Sequence, residues 1–302
     1  MDAAVSALIW VLVGPALVLA AGPLLDGIGR RVRARLESRV GPPLLQGYRD
    51  LAKLAAKGDV VATPTPVTAL APWVALASAV TAALLVPLGG TGPLGFAGDT
   101  LVLLYLLGLS SAAIALGGAG SGSAYAFLGA SRELVLLLLV EPVVACSFLV
   151  VGLQAGTFRL DGLVAWQLDH GPSVATVLAA VAVIVALLAY TGRVPFDLSE
   201  AEQELTGGAL VEYGGRHLAL FRWAMFTRWL VAAWVVVAVF LPLPVRGVAG
   251  AALTALEVLV LFGFLSVAST LVARLRMDTA RMFLVQIALL EVFAVAFAVI
   301  GA

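Results

Sequence analysis

Eight apolar runs constrain this chain of 302 residues more than any other feature; they lie at 3–25, 67–88, 99–117, 133–153, 173–191, 219–241, 250–273 and 282–301. Each is about the length a helix needs to cross the roughly 30 Å hydrocarbon layer of a bilayer. Backbone N–H and C=O groups find no water there, so only helices and closed barrels span it. Barrel strands are short and alternate apolar with polar residues, and these runs do neither. The chain is 62% hydrophobic and 12% charged, where a soluble domain carries about one quarter charged. The expected fold is an all-α integral membrane protein of about eight transmembrane helices, forming one polytopic domain over 1–302. Asp2 leads the first run with no basic stretch before it, which predicts a retained span and no cleaved signal.

Lys and Arg set the orientation. The segments 26–66, 118–132, 192–217 and 274–281 fall on one side and hold fourteen of them, against Arg159 and Arg246 on the other. The first set is predicted to be cytoplasmic. Net charge is zero, so charge placement, not charge balance, carries information about partners. With one cysteine, Cys146, and two histidines, the chain is expected to hold no metal or redox centre of its own, since clusters, c-type haem and structural zinc need several such ligands.

Between the first two spans, Gly29 to Arg39 is basic, and Gly41-Pro42-Pro43 breaks any helix. The spacing then predicts an amphipathic cytoplasmic helix from Leu44 to Lys57. Leu44, Tyr48, Leu51 and Ala55 make its apolar face, joined by Leu45, Ala52 and Leu54; Gln46, Arg49, Asp50, Lys53 and Lys57 make its polar one. It reads either as a membrane-surface helix or as the wall of a pocket beneath a docked soluble subunit. The Gly-Ser-rich stretch 118–132 is expected to be a cytoplasmic loop, and it lacks the GxxxxGK[ST] of a nucleotide site.

Acids inside apolar runs are costly unless paired, hydrated or neutral. The fourth span opens with Glu133 at the interface and carries Glu141, followed by Pro142, two turns deeper. Glu141 is expected to be a proton-relay or ion-path residue. Glu257 and Glu291 read equally well as pathway or structural residues. Arg222 is expected to snorkel beside Trp223, and Arg228 to find a carboxylate.

The segment 192–217 concentrates five carboxylates: Asp197, Glu200, Glu202, Glu204 and Glu212. Ser199 to Glu202 fits a capping box, which accounts for one or two of them. Glu200 and Glu204 share a helix face and repel when both are ionised. Such clustering favours passing a proton near neutral pH. Arg193, Arg216 and His217 are the nearest expected counter-charges, and His217 alone of these titrates in that range.

The run PFDLSEAEQEL at 195–205, with VEYGG and LALF over 211–221, resembles the signature of the complex I subunit 1 family, whose relatives include the membrane subunits of energy-converting [NiFe]-hydrogenases. The pairs Arg30-Arg31 and Leu44-Leu45, with Arg39, Gln46, Asp50, Lys53, Arg132 and Glu141, agree with it. The contracted RVGPPLLQGYRDLAKL at 39–54 is similar to the formate hydrogenlyase and hydrogenase-4 branch. Met225 stands near where complex I versions carry an acid, and His217 where they favour Arg.

The resemblance implies a membrane anchor and ion-coupling subunit in the cell (inner) membrane. Glu141, Glu133, Asp197, Glu200, Glu202, Glu204, Glu212 and His217 would form its proton or ion path. Arg39, Gln46, Asp50, Lys53, Arg193 and Arg216 would meet the soluble arm. Implied partners are hydrogenase large and small subunits, an Fe–S subunit and antiporter-like membrane subunits, with Ni-Fe and Fe-S centres in those partners, besides membrane lipids; no nucleic acid is implied. The alternative is the quinone-site subunit of an NADH:quinone oxidoreductase. A stand-alone transporter would be expected to show internal repeats, and no convincing one is found.

Overall fold

The structure, a computed structural model, describes residues 2–60, 63–87, 94–199, 207–245 and 247–301, with the side chains of 2–10 and 12 left aside. It is all-α. The helices are α1 (Asp2–Leu36), α2 (Gln46–Ala55), α3 (Pro66–Leu85), α4 (Asp99–Ala119), α5 (Ala124–Ala155), α6 (Leu160–His170), α7 (Val174–Tyr190), α8 (Gly215–Phe240), α9 (Gly247–Leu271) and α10 (Met277–Ile300). Six of them, α3, α4, α5, α8, α9 and α10, are long and apolar enough to cross a bilayer, and α7 is a shorter apolar helix of 17 residues. At 1.5 Å per residue α7 reaches about 25 Å. The first predicted span lies within α1, which continues unbroken through the basic residues to Leu36.

Helix α8 is the hub. Its run LVAAWVVVAVF is apolar all round, the mark of a helix without a solvent face. It packs against α1, α2, α3, α4, α6, α7 and α9, while α10 leans on α5 and α7 at the edge. Small residues let α3 and α4 approach closely: Ala71, Ala75, Ala79, Ala82 and Ala83 meet a helix bearing Ser110, Ala113, Gly117 and Gly118. Ser110 Oγ donates to the Ala75 carbonyl at 2.8 Å.

One expectation fails. The stretch 118–132 is not a long loop, because α4 ends at Ala119 and α5 begins at Ala124. Its glycines serve packing. A 3₁₀ turn at Gly208–Leu210 is wedged between α4 and α5, and a Cβ on Gly118 or on Gly129 would stand 2.6 Å from the backbone of Ala209. Between the predicted spans 133–153 and 173–191 lies α6, an 11-residue helix that the sequence reading did not mark. Asp99 fixes its start by accepting from the Leu160 N–H at 2.8 Å.

Tyr213 clamps the end of the acidic segment to this core. Its ring meets Phe221 edge-on at 4.9 Å, and its hydroxyl donates to the Gly117 carbonyl at 3.0 Å. Burial pushes the phenol up to about 12, so it stays a donor at every physiological pH. Tyr213→Phe leaves that carbonyl buried and without this donor. The expected loss is about 1–2 kcal/mol, read as a lower thermal midpoint of the detergent-solubilised chain.

Candidate functional site

The basic end of α1, the first half of α5 and the first half of α8 enclose a chamber of about 600 Å³. Helix α1 contributes Asp26, Arg30 and Arg33 at near-helical spacing, and Asp26 pairs with Arg30 at 2.6 Å. Glu133 enters from the first half of α5, and Arg222 and Arg228 from α8. The stretch after α7 supplies Arg193, Asp197 and Ser199, and the 3₁₀ turn supplies Ala209 and Leu210. The described chain on either side of 200–206 lies in this wall, at Ser199 and at Ala209. Glu200, Glu202 and Glu204, and the predicted capping box, lie outside the described residues.

Asp197 takes its counter-charge from an unexpected place. Arg274, in the connection before α10, donates to its Oδ2 at 2.6 Å. Arg193 points inward, only 4% exposed. It donates to Ser266 Oγ at 2.6 Å and stacks 4.6 Å above Phe262 of α9. Burial, with Arg33 nearby, pulls its guanidinium down to about 10, which leaves it charged at neutral pH. Arg193 is thus a buried chamber residue, not part of an exposed docking face. Arg216 and His217 face neither the chamber nor Asp197. Gly214 N–H pairs with the Val60 carbonyl at 2.9 Å, so these two loops meet. Asp59 then accepts from the Arg216 N–H at 2.8 Å and stands 3.4 Å from His217 Nδ1. Glu212 is half-buried just before Tyr213.

Helix α2 roofs a smaller cavity of about 280 Å³ that shares Arg30, Arg222 and Phe226 with the chamber. Its packed face runs through Gly47, Leu51 and Leu54, two of these from the predicted apolar face, while Leu45, Ala52 and Ala55 of that face are exposed. Gln46 donates to Asp50 at 2.7 Å, and Asp50 lies 3.7 Å from Arg30. Tyr48 donates to the Ala20 carbonyl of α1, tying the two helices. Lys53 is exposed, and Arg39 is exposed beside its ion-pair partner Glu37.

The chamber's inner wall leads to Glu141. Arg228, 2% exposed, donates to Ser111 Oγ and lies 4.9 Å over the Tyr190 ring. In place of the expected carboxylate partner it has a hydroxyl and a π-face, which hold the guanidinium but leave Nε buried without an acceptor among the described residues. Tyr190 donates to the Leu107 carbonyl at 3.2 Å. Tyr190, Leu107, Gly108 and Glu141 line a second cavity of about 290 Å³, otherwise apolar. Leu138, 70% exposed, and Tyr105, 78% exposed, stand at its rim, so it opens sideways from the bundle. A Cβ on Gly108 would land on the Glu141 carboxylate, so the glycine makes the space that the acid occupies. Pro142 follows and has no N–H for the preceding turn.

Elsewhere, Glu291 of α10 is buried and accepts from Ser147 Oγ of α5, an interhelical lock away from both cavities. Asp26, Ser111, Tyr190 and Arg274 were not singled out by sequence reasoning. Only Asp26 carried a local signal, its spacing of four from Arg30.

The NADH dehydrogenase family model matches residues 7–300. The chain belongs to this family, that of complex I subunit 1. Within it, the chain is 39% identical over 277 residues to hydrogenase-4 component C of Escherichia coli (strain K12), covering 88% of each. It is 39% identical over 234 residues to formate hydrogenlyase subunit 4 of the same organism, covering 75% of this chain and 76% of that one. Identity to NADH-quinone oxidoreductase subunit 8 of Thermus thermophilus is 33% over 283 residues, covering 86% and 75%. A chain of the membrane-bound sulfane sulfur reductase, an archaeal respiratory membrane complex, superposes with a TM-score of 0.88 at 24% identity over 97% of this chain and 99% of that one. That likeness speaks for the fold.

Proposed function

We propose that this chain is the membrane anchor and ion-coupling subunit of a multisubunit energy-converting complex of the [NiFe]-hydrogenase type. The soluble arm, carrying the Ni-Fe and Fe-S centres, docks over 26–66 and 192–217 on the cytoplasmic side, with Arg39, Lys53 and Arg216 among the exposed cations it meets. Antiporter-like subunits lie beside it in the membrane. The observation that carries the coupling role is the bonded wall between two cavities. On one side stand Glu133, Asp197 and Arg274; on the other, Glu141; between them, Arg228, Ser111 and Tyr190. A rearrangement over the chamber changes the field at Arg228, and so the hold of Glu141 on a proton or cation. The 39% identity to hydrogenase-4 and formate hydrogenlyase subunits favours the hydrogenase branch over quinone reduction.

The partner reading is tested by affinity purification of the chain from mildly solubilised membranes. Nickel- and iron-bearing subunits should co-purify in stoichiometric amount. Recovery of the chain alone, or with NADH-oxidising subunits and a bound quinone, would overturn it.

A further inference from the structure

We propose that the chamber is an oxyanion site whose occupant is a phosphate group, carried by a lipid headgroup or free in solution. This goes beyond the coupling role and does not rest on it. Among the described residues, six guanidiniums line the chamber against three carboxylates, an excess of three positive charges. Two of the carboxylates are already engaged, Asp26 by Arg30 and Asp197 by Arg274. Arg33, Arg193, Arg222 and Arg228 form no ion pair among the described residues.

Their hydrogen bonding is also incomplete. Arg33 Nε, Arg193 Nε and Nη2, and Arg228 Nε are buried without an acceptor among the described residues. Arg193 and Arg228 are 4% and 2% exposed, so bulk water does not solvate them. Hydroxyls and aromatic faces anchor one nitrogen and one face of each, which positions the group without neutralising it. Buried cations of this kind are tolerated when an anion completes them. The planar fork of arginine matches the oxygens of phosphate better than a lysine would, and every cation among the described residues of this wall is an arginine. The volume of about 600 Å³ accommodates a headgroup with ordered water.

The test uses the intact complex in neutral detergent, at rest, so its outcome is independent of coupling. Binding of labelled inorganic phosphate is measured by equilibrium dialysis, and retained phosphatidylglycerol and phosphatidylcholine by native mass spectrometry. One phosphate-bearing ligand should be lost, with at least a tenfold fall in affinity, in Arg33→Gln/Arg222→Gln. These two side chains are less locked into helix packing than Arg193 and Arg228. Arg159→Gln, in the connection between α5 and α6, should retain the ligand. A retained phospholipid that inorganic phosphate cannot displace assigns the headgroup; displacement, or binding of phosphate alone, assigns the free anion. The proposal is overturned if wild type holds no such ligand, or if the double variant binds it unchanged. It is equally overturned if phosphate binds only after Glu200, Glu202 and Glu204 are changed to Gln, because those side chains would then be the chamber's own anions.

Discussion

Replacing Glu141 by Gln should cut ion translocation by about tenfold or more while the complex continues to turn over, since a positioned proton-transfer group contributes at least that factor. The amide fills the same space over Gly108 and keeps a hydrogen-bonding group in the cavity, so packing against α4 is retained. What is lost is the ability to take up and release charge. Ion uptake into inverted vesicles, divided by substrate turnover in the same vesicles, reads the difference. An unchanged ratio would remove Glu141 from the path. Gly108→Ala supplies the complementary variant. It keeps the carboxylate but places a methyl group where that carboxylate sits. Overpacking of this kind costs about 1–3 kcal/mol, and the acid must move away from Tyr190. The ratio should fall in Gly108→Ala too, and a larger side chain at 108 should lower it further. If position 108 is neutral while Glu141→Gln is not, titration matters and placement does not.

The second large effect is expected at the 3₁₀ turn. Gly118→Val drives a branched side chain into the Ala209 backbone, which stands 2.6 Å from even a bare Cβ. The turn also meets α5 at Gly129, so it has nowhere to retreat. Expulsion costs about 1–3 kcal/mol or more and removes Ala209 and Leu210 from the chamber wall. Thermal unfolding of the solubilised chain should drop by several degrees, and the soluble arm should dissociate more readily from purified complex. Leu116→Val, on the exposed side of the same helix, should do neither. Wild-type stability and assembly in Gly118→Val would mean that the turn is not held as described.

The membrane spans were legible because a run of apolar side chains has one explanation at that length. Glu141 was legible for the same reason, as an acid where acids are costly. The Gly-Ser stretch at 118–132 misled because glycine weakens a helix in water, whereas here Gly118 and Gly129 let backbone approach backbone. Arg193 was read as a surface charge, since nothing near it in sequence announces Ser266 and Phe262, some seventy residues on. Arg274 was counted only for topology, and its bond to Asp197 spans 77 residues. The family motif marked the acidic segment as functional, but only the packed helices show which cations stand beside it. Helix α6 carried too little apolar signal to separate from a loop, and Asp99, its anchor, lies 61 residues upstream.

The two cavities share no lining residue. Arg228 of the first and Tyr190 of the second meet as a partition of packed side chains. In the coupling role proposed above, such a partition works as an insulator, handing charge across through its own side chains. Under that role, this arrangement keeps a stored gradient from discharging while the complex is idle and passes current only when the partition's own groups rearrange.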